Sequence, residues 1–460
     1  MKGPTVLPRL RRTLQILLLL SLTTPLPAQT ADTQSEAIID WLNSSLYALD
    51  HSSSPDLEPL REMLGNARIV GLGESLHSAS EPMAFRNQVL RFLVAELGFS
   101  ALVIESGLVE SKVLNDYVLH GIGDLDTAVA QGISHGFDQF QQNIELIRWL
   151  RQYNAEQIDA ANKVQIFGMD TSGSPGNLGA TRKPDTALAY TLQYLSEADP
   201  TAGAEFEQRA AEYLPALAGT NGYGTLPMAE RNALTAAIED MISLISRREF
   251  SYTRQTSAYD YAWGKRAAIS ARQVDSWFRR MPENWVLADG LDWHAESQII
   301  RDQIMADNVD WVQEQLPDDA RIMVFASNPH MAATEWTNPS WFEAPADSDA
   351  VSTPFGAYAK SRYGDDFVTI FNMVSEGEIY FCGATNPTPL DIGTPDATWG
   401  ESAFAAANTD EYLIDLRTAP PEVANWLQQV KDHRNFRLST SSAFDIVYYI
   451  KTISSDCVTD

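Results

Sequence analysis

Short apolar runs alternate with amphipathic stretches along most of the chain. Six runs are apolar, rich in β-branched residues and bounded by turn formers: "ARIVGLGE", "SALVIES", "VQIFGMD", "NWVLADG", "RIMVFASN" and "DFVTIFNMV". Runs of that length with those flanks predict buried strands. The stretches between them repeat apolar residues at helical spacing. "EPMAFRNQVLRFLVAELG" has Pro82 near its start, where a missing N–H costs nothing, and Gly98 at its end, where a left-handed residue closes a helix. "NIELIRWLRQYN" and "QIIRDQIMADNVDWVQEQL" carry the same period, the second stopping before Pro317. Strands that alternate with helices are joined by crossovers. The expected fold class is therefore α/β, a mostly parallel central sheet flanked by helices.

The rhythm breaks between about 182 and 283. "ALAYTLQYLSEA", "AEFEQRAAEYLPALAG", "MAERNALTAAIEDMISLISRREF" and "YDYAWGKRAAISARQVDSWFRRM" are all helical in period, with "AGTNGYGTLP" as a turn-rich joint. This predicts an all-helical insertion over 182–283, dividing an α/β catalytic core into 38–181 and 284–452.

The N-terminus has a different composition. Lys2, Arg9, Arg11 and Arg12 precede the apolar "LQILLLLSL", and small residues surround Ala28. A charged region, a short apolar region and a small-residue cut predict a Sec-type signal peptide over 1–28 and a periplasmic or secreted chain with no membrane attachment after cleavage. The formal charge is −28, and losing those four basic residues takes it to −32. So acidic a surface repels nucleic acid and anionic membranes, and it reads as solvation, not as a binding device. Two cysteines, Cys382 and Cys457, either form one disulfide tying the tail to the body or remain two buried thiols.

In open α/β sheets ligands bind beyond the carboxyl ends of the strands, so the polar residues found there are the ones to collect. The first run ends in Glu74 with His77 just beyond, the second in Glu105, the third in Asp170, the fourth in Asp289, and the fifth leads to His330. One rim lined by histidines and carboxylates is a candidate for acid–base chemistry. Each residue also has a structural reading. A glutamate after a strand caps the next helix. Asp170 and Asp289 sit in turn-forming contexts that favour that role over catalysis. Glu105 follows "ALVI", where an unpaired carboxylate is costly, so it requires a histidine or arginine partner. "GESLH" matches the nucleophile-elbow pattern only in part, which leaves Ser75 a minor candidate. No Walker loop, no HExxH pattern and no glycine fingerprint after a strand is present, and no cofactor is expected.

An ordered series of motifs resembles the erythromycin esterase family: "GLGESLHSASE", "FRNQVLRFLVAELGFSALVIES", "LNDYV", "WLRQYN", "VQIFGMD", "RDQIMADNVDW", "MVFASNPHMA" and "YGDDFVTIFNMVSEGEIY". The resemblance runs from about 38 to 450. It implies a sheet flanked by helices with an additional helical region, and an open cleft hydrolysing ester or lactone bonds, macrolides among them, without a covalent serine step. Carried over, His77 is the general base, Glu105 holds and polarises its imidazole, and His330 completes a proton relay. Glu74, Arg86 and Arg301 match motif positions near the site, an arginine there stabilising the oxyanion. Two positions depart from the family pattern. Pro329 fills the small-residue position of "NPH", and Ser78 stands where glycine is common after the first histidine.

Two rival readings use the same residues. His77, Glu105 and His330, with Glu74, are an acceptable N/O ligand set for a metal-dependent hydrolase. A non-catalytic binding protein would instead use aromatics of the insertion (Tyr213, Tyr223, Trp263, Trp277) to line a pocket for a bulky hydrophobic ligand, although helix packing accounts for most of them.

Overall fold

The computed structural model describes residues 31–50, 55–173, 185–211, 213, 226–279, 293–337, 351–380, 382, 388–430, 433–434 and 437–457. The segment 1–28 expected to be a signal peptide, the run "NWVLADG" with Asp289, and Tyr223 lie outside them. Among the described residues the strands are β1 Tyr47–Ala48, β2 Ile69–Glu74, β3 Phe99–Gly107, β4 Gln165–Asp170, β5 Arg321–Ser327, β6 Trp336–Thr337, β7 Val351–Ser352, β8 Phe367–Ile379, β9 Leu390–Asp391, β10 Glu411–Asp415 and β11 Ile446–Ile453.

The central sheet has the order β1-β10-β11-β8-β2-β5-β3-β4, with β9 pairing antiparallel to the end of β8. From β11 to β4 every neighbouring pair is parallel, and β1, β10 and β11 add two antiparallel pairs at one edge. The fold is α/β with a mostly parallel sheet. β6 and β7 form a separate small ribbon.

The strand sequences explain the burial. β2 is covered along its whole length, as expected of a parallel strand with helices on both faces. Its alternate residues go to opposite layers. Val70 and Leu72 pack with Val89, Leu90 and Leu146 on one face, whereas Ile69 packs with Met305 and Val309 on the other. Where β2 meets its neighbours, glycines leave room. A Cβ on Gly73 would come 2.1 Å from Asn328 Oδ1.

Between 185 and 279 the described residues are helical: Asp185–Ala198, Pro200–Ala210, Met228–Arg247, Glu249–Gln255 and Ala258–Arg279. Trp277 and Tyr213 are buried in the apolar interior of this layer. Trp263 instead faces the sheet side, its ring 5.0 Å from that of Trp311. Cys382 and Cys457 are joined in a disulfide. None of the described helices is long and apolar enough to cross a membrane.

Candidate active site

Because β2, β5, β3 and β4 are adjacent and parallel, their carboxyl ends meet at one rim. The first loop leaves β2 at Glu74 and turns through Ser75 and Leu76, returning the His77 ring onto the same glutamate. His77 Nδ1 lies 2.7 Å from Glu74 Oε2. Glu74 is buried, while the His77 side chain keeps 30% of its surface exposed. Phe137 packs on the imidazole at 5.0 Å. Burial alone would lower the His77 pKa, but the charge and hydrogen bond of Glu74, with Glu105 farther off, raise it. Ser75 donates its N–H to Asn372 Oδ1 at 3.1 Å, and its hydroxyl has no hydrogen-bond partner among the described residues. No histidine among the described residues bonds it.

Glu105 sits where the β3–β4 register shifts between Ile104 and Gly107. A bulge of this kind re-aims a side chain, here along the rim. Glu105 Oε1 accepts from Arg301 Nη2 at 2.7 Å, and its Oε2 accepts from the Ser327 N–H at 2.9 Å. His330 Nε2 is 3.4 Å from Oε1. Burial opposes ionisation of this carboxyl, yet His330, Arg301 and His77 hold its pKa well below the usual carboxylate range.

Arg301 is shared between two carboxylates. Besides Glu105 it donates to Asp170 through Nε, at 3.1 and 3.2 Å, and through Nη2 at 2.6 Å. Asp170 also receives His135 Nε2 at 3.1 Å. His330 is held from its other side, with Nδ1 2.6 Å from Asp302 Oδ1. Its burial lowers the pKa, but Asp302 and Glu105 outweigh that and push it up to about 9. A neutral His330 accepts from Arg301 Nη1 at 3.0 Å, whereas a protonated one turns its Nε2–H to Glu105.

Arg86 is placed differently. It is only 2% exposed, and its Nε and Nη2 donate to Asn87 Oδ1 at 3.1 and 2.8 Å. The guanidinium stacks on Phe325 at 4.8 Å and makes no carboxylate ion pair among the described residues. Burial lowers its pKa to about 10, with Glu74 pulling the other way. Arg86, Glu74, Glu105, Met83, Phe137 and Phe325 line one pocket.

All six site residues singled out from the sequence stand at this rim, but one pairing needs correction. The carboxylate that holds His77 is Glu74, not Glu105. The three-residue spacing of the loop brings Glu74 back to the ring, while the bulge aims Glu105 at Arg301 and His330. The proposed ligand set His77, Glu105 and His330 does not converge as a metal-binding group among the described residues. Three contributors escaped the sequence reading: Asp302, His135 and the Ser327 N–H. Asp302 lies within a helical stretch that reads as packing, and a backbone N–H leaves no sequence signal. His135, in "ISHGF", has a left-handed backbone with φ 68°, which its following glycine hints at.

Comparison with known proteins places the chain in a family. The erythromycin esterase family model matches residues 94–453. The chain belongs to the erythromycin esterase family. Glu105, Arg301 and His330 fall inside the matched segment, and Glu74, His77 and Arg86 precede it. Erythromycin esterase type II of Escherichia coli is 23% identical over 435 residues, covering 89% of this chain and 95% of that protein. Type I of the same organism is 20% identical over 419 residues, covering 87% and 94%. Two solved structures share the fold. One is a Bacillus cereus protein at TM-score 0.73 and 24% identity, covering 93% of this chain and 99% of that one. The other is a histidine mutant of the erythromycin esterase EreC in its open conformation, at TM-score 0.64 and 19% identity, covering 88% and 95%.

Proposed function

We propose that this erythromycin esterase family hydrolase cleaves the ester or lactone bond of a small exported-compartment substrate, a macrolide being one candidate, with water activated by His77 and no acyl-serine intermediate. One observation carries the reading. A partly exposed imidazole is clamped through Nδ1 by a buried carboxylate, against two lining residues of a pocket that also holds an unpaired buried guanidinium. Glu74 fixes the tautomer with the proton on Nδ1, leaving Nε2 to take a proton from water. Attack on the carbonyl places negative charge on its oxygen, and Arg86 supplies a cation for it. Collapse breaks the C–O bond, and the proton held by His77 returns to the leaving alkoxide. Export follows from the N-terminal pattern, with 1–28 removed.

The test is hydrolysis of macrolides, simple lactones and p-nitrophenyl esters, with and without EDTA, beside His77→Ala. Turnover that resists the chelator and falls by about 10²-fold or more in the variant is expected. Because the His77 pKa is raised, its base form is lost as pH drops, so kcat/KM should rise with pH through a limb above 6.5. Reaction in ¹⁸O-water should label the acid product, and hydroxylamine should trap no acyl-enzyme. Unchanged turnover in His77→Ala defeats the mechanism, and chelator-sensitive turnover moves the chemistry to a metal.

A further inference from the structure

The loop that carries His77 contains a residue in an unfavourable conformation. Ser78 is fully buried with φ 79°, in the left-handed region where an L side chain costs about 1–2 kcal/mol. Its own side chain does nothing to hold it there, since the hydroxyl is buried with no hydrogen-bond partner among the described residues. Within the loop only the long turn bond from the Ala79 N–H to the Leu76 carbonyl, at 3.3 Å, spans it among the described residues, so further support has to come from outside the loop.

In the segment that follows β11, residues 454–457, Ser454 and Ser455 bond this loop and the first residues of the helix after it, Ser80–Leu97. Ser454 accepts the Ser80 N–H on its carbonyl at 2.8 Å. It also donates its N–H and hydroxyl to the two oxygens of Glu81, at 2.8 and 2.6 Å. The Ser455 hydroxyl donates to the Ser78 carbonyl at 2.7 Å while accepting the Tyr380 N–H at 3.0 Å. Cys457 forms an antiparallel bridge with Phe140 and the disulfide with Cys382, two residues beyond Tyr380. Phe140 in turn packs on Phe137, the residue lying on the His77 ring. The same four-residue segment thus reaches both supports of His77, the turn at Ser78 and the ring of Phe137.

We infer that residues 454–457, fastened by the disulfide between Cys382 and Cys457, are a positioning strap that holds the strained Ser78 turn and thereby presents His77 to Glu74. The strap touches no substrate and acts through the loop. The inference rests on the reading of His77 as the base. Its consequence is specific to this chain: a glycine at position 78 adopts the left-handed turn without strain, so the strap matters less when Ser78 is replaced.

The experiment uses the whole chain as wild type, Ser455→Ala, the double variant Cys382→Ser with Cys457→Ser, and each of these combined with Ser78→Gly. Well below the unfolding temperature, the two strap variants should lose about tenfold or more in kcat while KM stays within about threefold, the signature of a displaced catalytic group. Reduction of the wild type with a phosphine should match the double variant. The His77 imidazole, titrated by NMR, faces Glu74, Glu105 and His330, none of which is altered. Its pKa should fall in the strap variants as the contact with Glu74 loosens. Adding Ser78→Gly should restore most of both the rate and the pKa. Variants that unfold earlier yet keep kcat and the His77 titration would overturn the strap, as would failure of Ser78→Gly to rescue either. The titration needs no substrate. If His77→Ala hydrolyses as well as wild type, the proposed function fails, and the NMR readout still decides the strap.

Discussion

Two arginines at this rim carry the same charge in opposite circumstances. Arg301 bonds Glu105 and Asp170 at once, so its charge is already matched and its pKa lies above the ordinary value. Among the described residues Arg86 contacts a neutral amide oxygen and an aromatic face and no paired carboxylate, and burial pulls its pKa down. A developing oxyanion gains most from the cation that has no partner yet. Arg86→Gln is therefore expected to lower kcat by about 10²-fold, with stability held or raised because a buried unpaired charge is gone. Arg301→Gln leaves two buried carboxylates without their cation and should cost about 3–5 kcal/mol in urea unfolding. If Arg86→Gln destabilises and Arg301→Gln does not, these roles are reversed. Glu74, His77, Glu105, Asp170 and His330 were legible in the sequence because they follow buried runs directly. The arginines were not: each lies inside a helical pattern, and resemblance alone drew attention to them. Asp302 stayed hidden for the same reason, and the pairing of Glu105 was misread because a bulge has no signature in a run such as "SALVIES".

That bulge is the feature of the strands that most directly shapes the site. Gly168 of β4 faces it, and a Cβ there would stand 2.3 Å from the Ser106 carbonyl oxygen and 2.5 Å from that of Gly107. Both neighbours are backbone and cannot rotate away. Gly168→Ala should therefore destabilise by about 1–3 kcal/mol and also lower kcat, since relief requires moving the bulge that aims Glu105. A loss of stability with kcat intact would show that Glu105 is aimed by its own ion pairs instead. The parallel strands were readable because their two covered faces leave continuous apolar runs between turn formers. The antiparallel strands β10 and β11, inside the β1 edge, escaped. "EYLID" is five residues long with an acid at each end, and "IVYYIKTI" lies far from the alternating rhythm that predicts crossovers. The predicted helical character between 182 and 283 has helices at every described element from Asp185 to Arg279.

At the scale of the molecule, acidic residues outnumber basic ones by 61 to 33, giving a formal charge of −28. At the rim Glu105, Asp170, Arg301 and His330 answer one another at contact distance, so the excess negative charge belongs to the rest of the chain. Exposed like charges repel over roughly a Debye length, about 10 Å at 0.1 M salt and about 3 Å at 1 M. Buried pairs are screened far less, so added salt should relieve the surface repulsion while leaving the rim intact. Thermal unfolding should therefore move to higher temperature between about 0.02 and 1 M sodium chloride, with kcat at a fixed temperature unchanged for a neutral ester. Choline chloride distinguishes the cause. An equal rise with the bulky cation means screening, whereas a rise with sodium alone means specific ion binding. A melting temperature that stays flat or falls would show that the surface carboxylates are already balanced by the arginine and lysine pairs around them, and that the acidity of the chain places no load on its folded state.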